Sequence, residues 1–138
     1  LYNSLKYLLD TSALYPLVLE LREKILLYAN LLAVLDLTIY EVGNTIWKEH
    51  LRGRVREPIL VTRMFMEVLN NIKKLSIENS LCEIQEIAIE SNISFYDAAY
   101  IYVARKHGLK LVTEDKILLK FPESINTNTL IREILLNN

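Results

Sequence analysis

The sequence predicts an α/β fold in which helices cover both faces of a parallel sheet. Short apolar runs, YLL, LLAVLDL and LKLVT, alternate with longer segments of helical period. Such alternation is how a parallel sheet with crossover helices reads in sequence. There are only three Gly and three Pro in 138 residues, and no repeat, low-complexity run or linker. One domain over residues 1–138 is therefore expected.

The elements follow in order. Lys6–Leu9 reads as a buried strand that ends at Asp-Thr-Ser. Residues 13–29 have helical spacing, with Leu14, Leu17, Val18, Leu21, Ile25 and Tyr28 on one face. Pro16 is placed in the first turn of that helix, where a missing N–H costs little. Leu32–Leu37 is the second strand, and Asp36 within it reads as a structural or strand-edge acid. Thr38 opens a helix to about Leu51, closed near Gly53. The spacing predicts further helices over 57–72, 79–91 and 95–107, the last stopped by Gly108. A short strand is expected at Lys74–Ile77, a firm one at Leu109–Thr113 and a weak one at Ser124–Asn128. A final helix runs to the end. Crossovers between parallel strands are right-handed, and ligands of such sheets bind beyond the carboxyl ends of the strands.

Composition removes several classes of function. Apolar residues make up 51% and charged residues 24% of the chain, which suits a folded, compact protein. Cys82 is the lone cysteine, so neither an intrachain disulfide nor a Cys-rich zinc site can form. His50 and His107 show no ligand spacing. LYNSLKYLLD is too short in its apolar run for a signal peptide, and every long apolar stretch carries charge. A cytoplasmic protein with no membrane segment is the expectation. The net charge of −1 means that any contact with nucleic acid must come from local patches.

The acids are placed more pointedly. Asp10 directly follows the first strand, and Asp115 lies just past LKLVTE. Glu41 stands three residues after Thr38 and Asp97 three after Ser94, each near a helix start. Helix starts that follow parallel strands face the same edge as the strand ends, which brings Asp10, Glu41 and Asp115 together. Asp97 joins them if its helix has the same orientation. Each acid also has an ordinary explanation. Thr38-x-x-Glu41 reads as a capping box and Ser94-x-x-Asp97 is close to one, while Asp10 and Asp115 suit turns. Carboxylates gathered at one edge repel, however, and raise one another's pKa. A hard divalent cation relieves that repulsion without help from His or Cys. The chemistry expected of such a site is metal-assisted displacement at phosphorus.

YLLDTSAL, TIYEVGNTIWK and FYDAAYIYVARKHGLKLVTED, in this order and spacing, resemble the PIN-domain ribonucleases, specifically the VapC-type toxins of toxin–antitoxin pairs. The resemblance runs from Lys6 to about Asn128. It implies a three-layer α/β/α sandwich with a mainly parallel sheet. It implies Asp10, Glu41, Asp97 and Asp115 as catalytic carboxylates around Mg²⁺ or Mn²⁺, and it supplies the orientation of the Asp97 helix. It also implies endoribonuclease activity giving 5′-phosphate products, a homodimer, and a small antitoxin that places a basic side chain in the acidic pocket.

Around that quartet, Ser12, Asn44 and Thr113 are candidates for supporting hydrogen bonds, although local turns and interior contacts also account for them. Glu114 reads as a solvated neighbour. Trp47 is expected in the core. Arg52, Arg54 and Arg56 form a candidate RNA-binding patch, and also a favourable cationic helix end. Arg105, Lys106 and Lys110 lie at the far end of the Asp97 helix. Tyr96, Tyr100 and Tyr102, with Leu14 and Leu17, are candidates for a self-association face. Two rival readings stand beside the nuclease. One is another Mg-dependent phosphohydrolase or a receiver-like domain. The phosphatase pattern wants an Asp where Ser12 stands, and no Lys stands out for a receiver. The other is a non-catalytic PIN-like RNA- or protein-binding module, and loss of RNA cleavage in a folded Asp10→Asn variant separates it from an enzyme.

Overall fold

A computed structural model describes residues 4–136. Five strands form one all-parallel sheet in the order β3-β2-β1-β4-β5. They are β1 (Tyr7–Leu9), β2 (Leu32–Leu35), β3 (Lys73–Leu75), β4 (Lys110–Val112) and β5 (Ser124–Ile125). The helices are α1 (Thr11–Leu21), α2 (Asp36–Leu51), α3 (Pro58–Asn71), α4 (Leu81–Ser91), α5 (Phe95–His107) and α6 (Thr127–Leu136). The last helix was expected to reach Asn138, and residues 137–138 lie outside the described residues.

Strand alternation divides the core in two. Tyr7, Leu9, Leu32, Val34 and Val112 face a layer built from α1, α2, α3 and α6. Leu8, Ala33, Leu35 and Leu111 face the opposite layer, built from α4 and α5. The period of two along each strand is what sends neighbours to opposite cores. The fold is therefore the three-layer α/β/α sandwich that the sequence suggested.

Several local expectations are corrected. The first helix begins at Thr11, two residues early, because the Asp10 side chain accepts from the Ala13 N–H and caps it. Pro16 thus stands in the second turn, and the Ser12 carbonyl lacks its usual donor four residues on. That helix does not run to residue 29. It stops at Arg22, whose φ is +53°, and continues as a 3-10 stretch over Arg22–Leu31. The second strand ends at Leu35 rather than Leu37, so Asp36 is the first residue of α2, where its carboxylate accepts from the Leu37 N–H. Thr38 is then inside the first turn and Glu41 in the second, which overturns the Thr38–Glu41 capping box. Gly53 and Gly108 close their helices with φ of +77° and +64°, a region open to glycine.

Candidate active site

The sheet reverses its strand order between β1 and β4, where β1 leads one way to β2 and β4 leads the other way to β5. Ligands of open α/β sheets bind at such a point, outside the carboxyl ends. Asp10 sits directly after β1 there, 6% exposed, and its N–H donates to the Val112 carbonyl at 3.1 Å.

Its carboxylate is held by donors from both strand ends. Oδ1 accepts from Ser12 Oγ at 2.6 Å and from the Ala13 N–H at 3.1 Å, and Oδ2 accepts from Thr113 Oγ1 at 2.5 Å. Those hydroxyls are oriented in turn by backbone. The Glu114 N–H donates to Ser12 Oγ at 2.9 Å and the Asp115 N–H to Thr113 Oγ1 at 3.0 Å. Ser12 and Thr113 are thus brought to the site as expected. Burial pushes the Asp10 carboxyl up to about 6, against the opposing pull of Ser12, Thr113 and Ala13, with the Glu41 charge adding to the rise.

Glu41 is fixed by a second chain of hydroxyls. Thr11 Oγ1 and the Tyr100 hydroxyl both donate to its Oε1, at 2.9 and 2.7 Å. Because Tyr100 spends its proton on Glu41, its oxygen is the acceptor in the 2.6 Å contact with Thr38 Oγ1. Thr38 accepts from the Leu35 N–H at 3.2 Å. The relay runs from the end of β2 through Thr38 and Tyr100 to Glu41. Thr38 and Tyr100 are almost fully buried, at 0% and 2% exposed.

Asp97 stands in the first turn of α5, whose Ser94 cap accepts from the Asp97 N–H at 3.0 Å. Its carboxyl is raised by burial and then by the charges of Asp115 and Glu41, while the Ser94 hydroxyl acts the other way. Asp115 uses Oδ1 to accept from the Ile117 and Leu118 N–H groups at 2.8 and 3.1 Å, so it caps the short 3-10 turn of Leu118–Lys120. The four acids therefore share one edge and feel one another electrostatically. Among the described residues, no three His, Cys, Asp or Glu side chains stand close enough together to form a ready metal cage.

Other expectations divide. Glu114 is no idle neighbour, since its Oε2 accepts from the N–H and hydroxyl of Thr127 at 2.8 and 3.0 Å and ties the site loop to α6. Asn44 lines a groove beside Glu41, whose bonds come from Thr11 and Tyr100 instead. Trp47 is 56% exposed and does not belong to the core. Arg52 and Arg54 both pair with Glu49, each at 3.2 Å, which leaves Arg56 as the exposed member of that patch without an ion pair among the described residues. Leu14, Leu17 and Tyr100 are buried, so they cannot supply a self-association face, whereas Tyr96 is exposed. Sequence reasoning missed Thr11 and Tyr100 as the partners of Glu41, and Thr38 as the group behind Tyr100. Tyr100 shares the helical face of Asp97 three residues earlier, and that spacing was the available signal.

The PIN domain family model matches residues 7–123. The chain belongs to the PIN-domain family. Among curated relatives, the Exonuclease VapC9 of Pyrobaculum aerophilum is 42% identical over 127 residues, covering 91% of this chain and 93% of that one. Ribonuclease VapC3 of the same organism is 35% identical over 128 residues, covering 86% and 96%. The crystal structure of PAE2754 from Pyrobaculum aerophilum superposes with a TM-score of 0.87 at 40% identity, over 96% of this chain and 91% of that one. A toxin–antitoxin complex from Klebsiella pneumoniae shares the PIN fold at a TM-score of 0.64 and 21% identity, over 87% and 96%. Among the described residues, no helix is long and apolar enough to cross a membrane.

Proposed function

We propose that this PIN-domain protein is a divalent-metal-dependent ribonuclease, the toxin of a toxin–antitoxin pair. The observation that supports the reading is that Asp10, Glu41, Asp97 and Asp115 lie along the carboxyl edge of the sheet, near the reversal of strand order, with the first two carboxylates held by oriented hydroxyls. The names of the relatives, a ribonuclease and an exonuclease, support it.

The donor set fits a hard cation such as Mg²⁺ or Mn²⁺. It offers carboxylate oxygens backed by hydroxyls, with no thiolate or imidazole among the groups described. Asp10, Glu41, Asp97 and Asp115 would hold it. When bound, such an ion neutralises phosphate charge and makes water a better nucleophile. The chain's own part is orientation. Ser12, Ala13 and Thr113 keep Asp10 aimed, and Thr11 and Tyr100 occupy one oxygen of Glu41 so that the other is left for the site. Hydrolysis joins the water oxygen to phosphorus and releases the 3′ oxygen, which takes up a proton. The products carry a 5′ phosphate and a 3′ hydroxyl.

The protein acts in the cytoplasm as a homodimer, and a small antitoxin blocks it by placing a basic side chain among the acids. Internal cutting is the proposed mode, and terminal trimming is the alternative suggested by the VapC9 name. Circular single-stranded RNA decides between them, because only an endonuclease opens it. With Mg²⁺ or Mn²⁺ the native protein should cut RNA. Asp10→Asn and Asp97→Asn should each cut at least ~100-fold more slowly while still folded. Native-like rates in both folded variants would remove the carboxylates from the chemistry.

A further inference from the structure

We propose that the groove between α1 and α2 is a nucleotide subsite, which seats one residue of single-stranded RNA beside the carboxylates. The proposal deepens the nuclease reading and rests on it. The groove holds about 410 Å³. Tyr15 and Pro16 come to it from α1, Asn44 and Lys48 from α2, and Thr11 and Glu41 form its inner end. Thr11 donates to Glu41 there, so a molecule in the groove lies against the acid cluster without a break.

Each wall offers a different part of nucleotide chemistry. The Tyr15 ring is fixed by stacking on Phe65, at 5.4 Å between centroids and 12° between planes. A pre-set aromatic surface receives a base with little ordering cost and with no demand on its identity. The Asn44 amide both donates and accepts, which suits the edge of a base. Lys48 is exposed and carries no ion pair among the described residues, whereas Arg52 and Arg54 are taken up by Glu49. From Glu41 to Lys48 the helix rises about 10 Å. One end of the groove is therefore acidic and the other cationic. A strand whose scissile phosphate lies at the acids can then rest a neighbouring phosphate on the ammonium group. A basic peptide would meet Lys48 as a like charge, so RNA is the better fit. The larger groove between the Arg22–Leu31 stretch and α3, about 510 Å³, mixes Leu and Met with Arg and Glu of both signs and has no comparable set of groups to name its occupant.

Trp47 is the single tryptophan and is exposed next to Lys48 in the sequence, but it does not line the groove, so binding is read from the anisotropy of a labelled oligoribonucleotide. The test titrates native protein with a short single-stranded oligoribonucleotide in EDTA, and measures cleavage separately in Mg²⁺. Lys48→Ala should raise Kd about 5–10-fold and reduce the salt slope by about 0.7. It should raise KM by a similar factor with kcat changed less than about twofold, since the lost contact is made equally before and during reaction. Lys48→Arg should restore most of the affinity. Asn44→Ala should change the ratio of affinities for different homopolymers. Lys73→Ala, on the edge strand β3, should change none of these.

Unchanged Kd and salt slope in Lys48→Ala would overturn the subsite, and continued cleavage by the native chain would leave the nuclease reading standing. Lys48-dependent RNA binding without any cleavage would support the groove and sink the nuclease reading. Failure of the native chain to bind RNA, or binding of an oligoarginine peptide in the groove in place of RNA, would also overturn the subsite.

Discussion

Tyr100 lies beneath the acid cluster, and its hydroxyl links Thr38 to Glu41. Burial and the nearby Glu41 and Asp10 charges hold its proton firmly, so it acts as a fixed donor. Tyr100→Phe keeps the ring and removes that donor. We expect kcat to fall about tenfold with KM unchanged, at a stability cost of about 1–2 kcal/mol from the broken buried relay. Thr38→Val should show the same split more weakly, because Thr11 and Tyr100 still reach Glu41. A Tyr100→Phe enzyme with native kcat would remove the relay from the reaction. The sequence shows that Asp10 and Asp115 lie just past strand ends, and a parallel sheet turns those positions toward one edge, whereas Glu41 stands in the second turn of α2 and the orientation of the Asp97 helix did not follow from its own residues. Tyr100 was legible only as a residue on the Asp97 face, not as the partner of Glu41. The α5 residues Ala98, Ala99, Tyr100, Ile101, Val103 and Ala104 are all buried, so no polar face marks which way the hydroxyl points. Trp47 failed in the opposite direction. Large apolar residues are usually inside, but this one is 56% exposed, on a side of α2 that no element among the described residues covers.

The ends of elements were the least legible part of the fold, and the reasons are local. Leu32–Leu37 is one apolar run, yet the backbone turns into α2 at Asp36 because Thr38 accepts from the Leu35 N–H and fixes the turn. The α1 break at Arg22 depends on a positive φ at a non-glycine residue, which no residue preference announces. The final helix was expected after a strand over Ser124–Asn128 and begins at Thr127, inside that range, and its docking gives a measurable prediction. Glu133 accepts from the Tyr7 hydroxyl at 2.7 Å and from Lys110 Nζ at 2.9 Å, so it ties α6 to β1 and β4. Lys110 and Tyr7 hold its carboxyl below the usual range, and burial and Glu133 push Tyr7 up to about 12, which keeps it a donor. A carboxyl whose folded pKa is depressed contributes stability above its unfolded pKa and loses it as pH falls through the folded value. Glu133→Gln should therefore cost about 1 kcal/mol at pH 7, reduced from a buried pair by the exposure of Lys110. The gap should close as pH drops below about 4. Urea unfolding of both proteins at pH 7 and pH 3 measures it, and a gap that stayed constant would show that packing, not charge, is at stake.

Across the whole molecule, a net charge of −1 conceals a strong local imbalance, because the site gathers carboxylates while cations lie elsewhere. Asp10 carries much of the strain, since it is nearly buried and its ionised form is disfavoured by that burial. Stability and function are then set against each other at one residue. In the absence of divalent metal, Asp10→Asn should be at least as stable as the native chain, because the amide removes a buried charge and can still meet Ser12 and Thr113. Added Mn²⁺ or Mg²⁺ should reverse that order. A ligand that binds only the folded state stabilises it by about 2.7 kcal/mol at a hundred times its Kd, which is several degrees in Tm for a chain of this size. The native protein should show that rise and Asp10→Asn should show little of it. Lys48→Ala, which alters the outer end of the groove and none of the acids, should rise as the native chain does. Thermal unfolding of the three proteins with EDTA and with each cation separates the cases. A native Tm indifferent to both ions would argue that the acids hold no cation, and a full rise in Asp10→Asn would place the ion elsewhere.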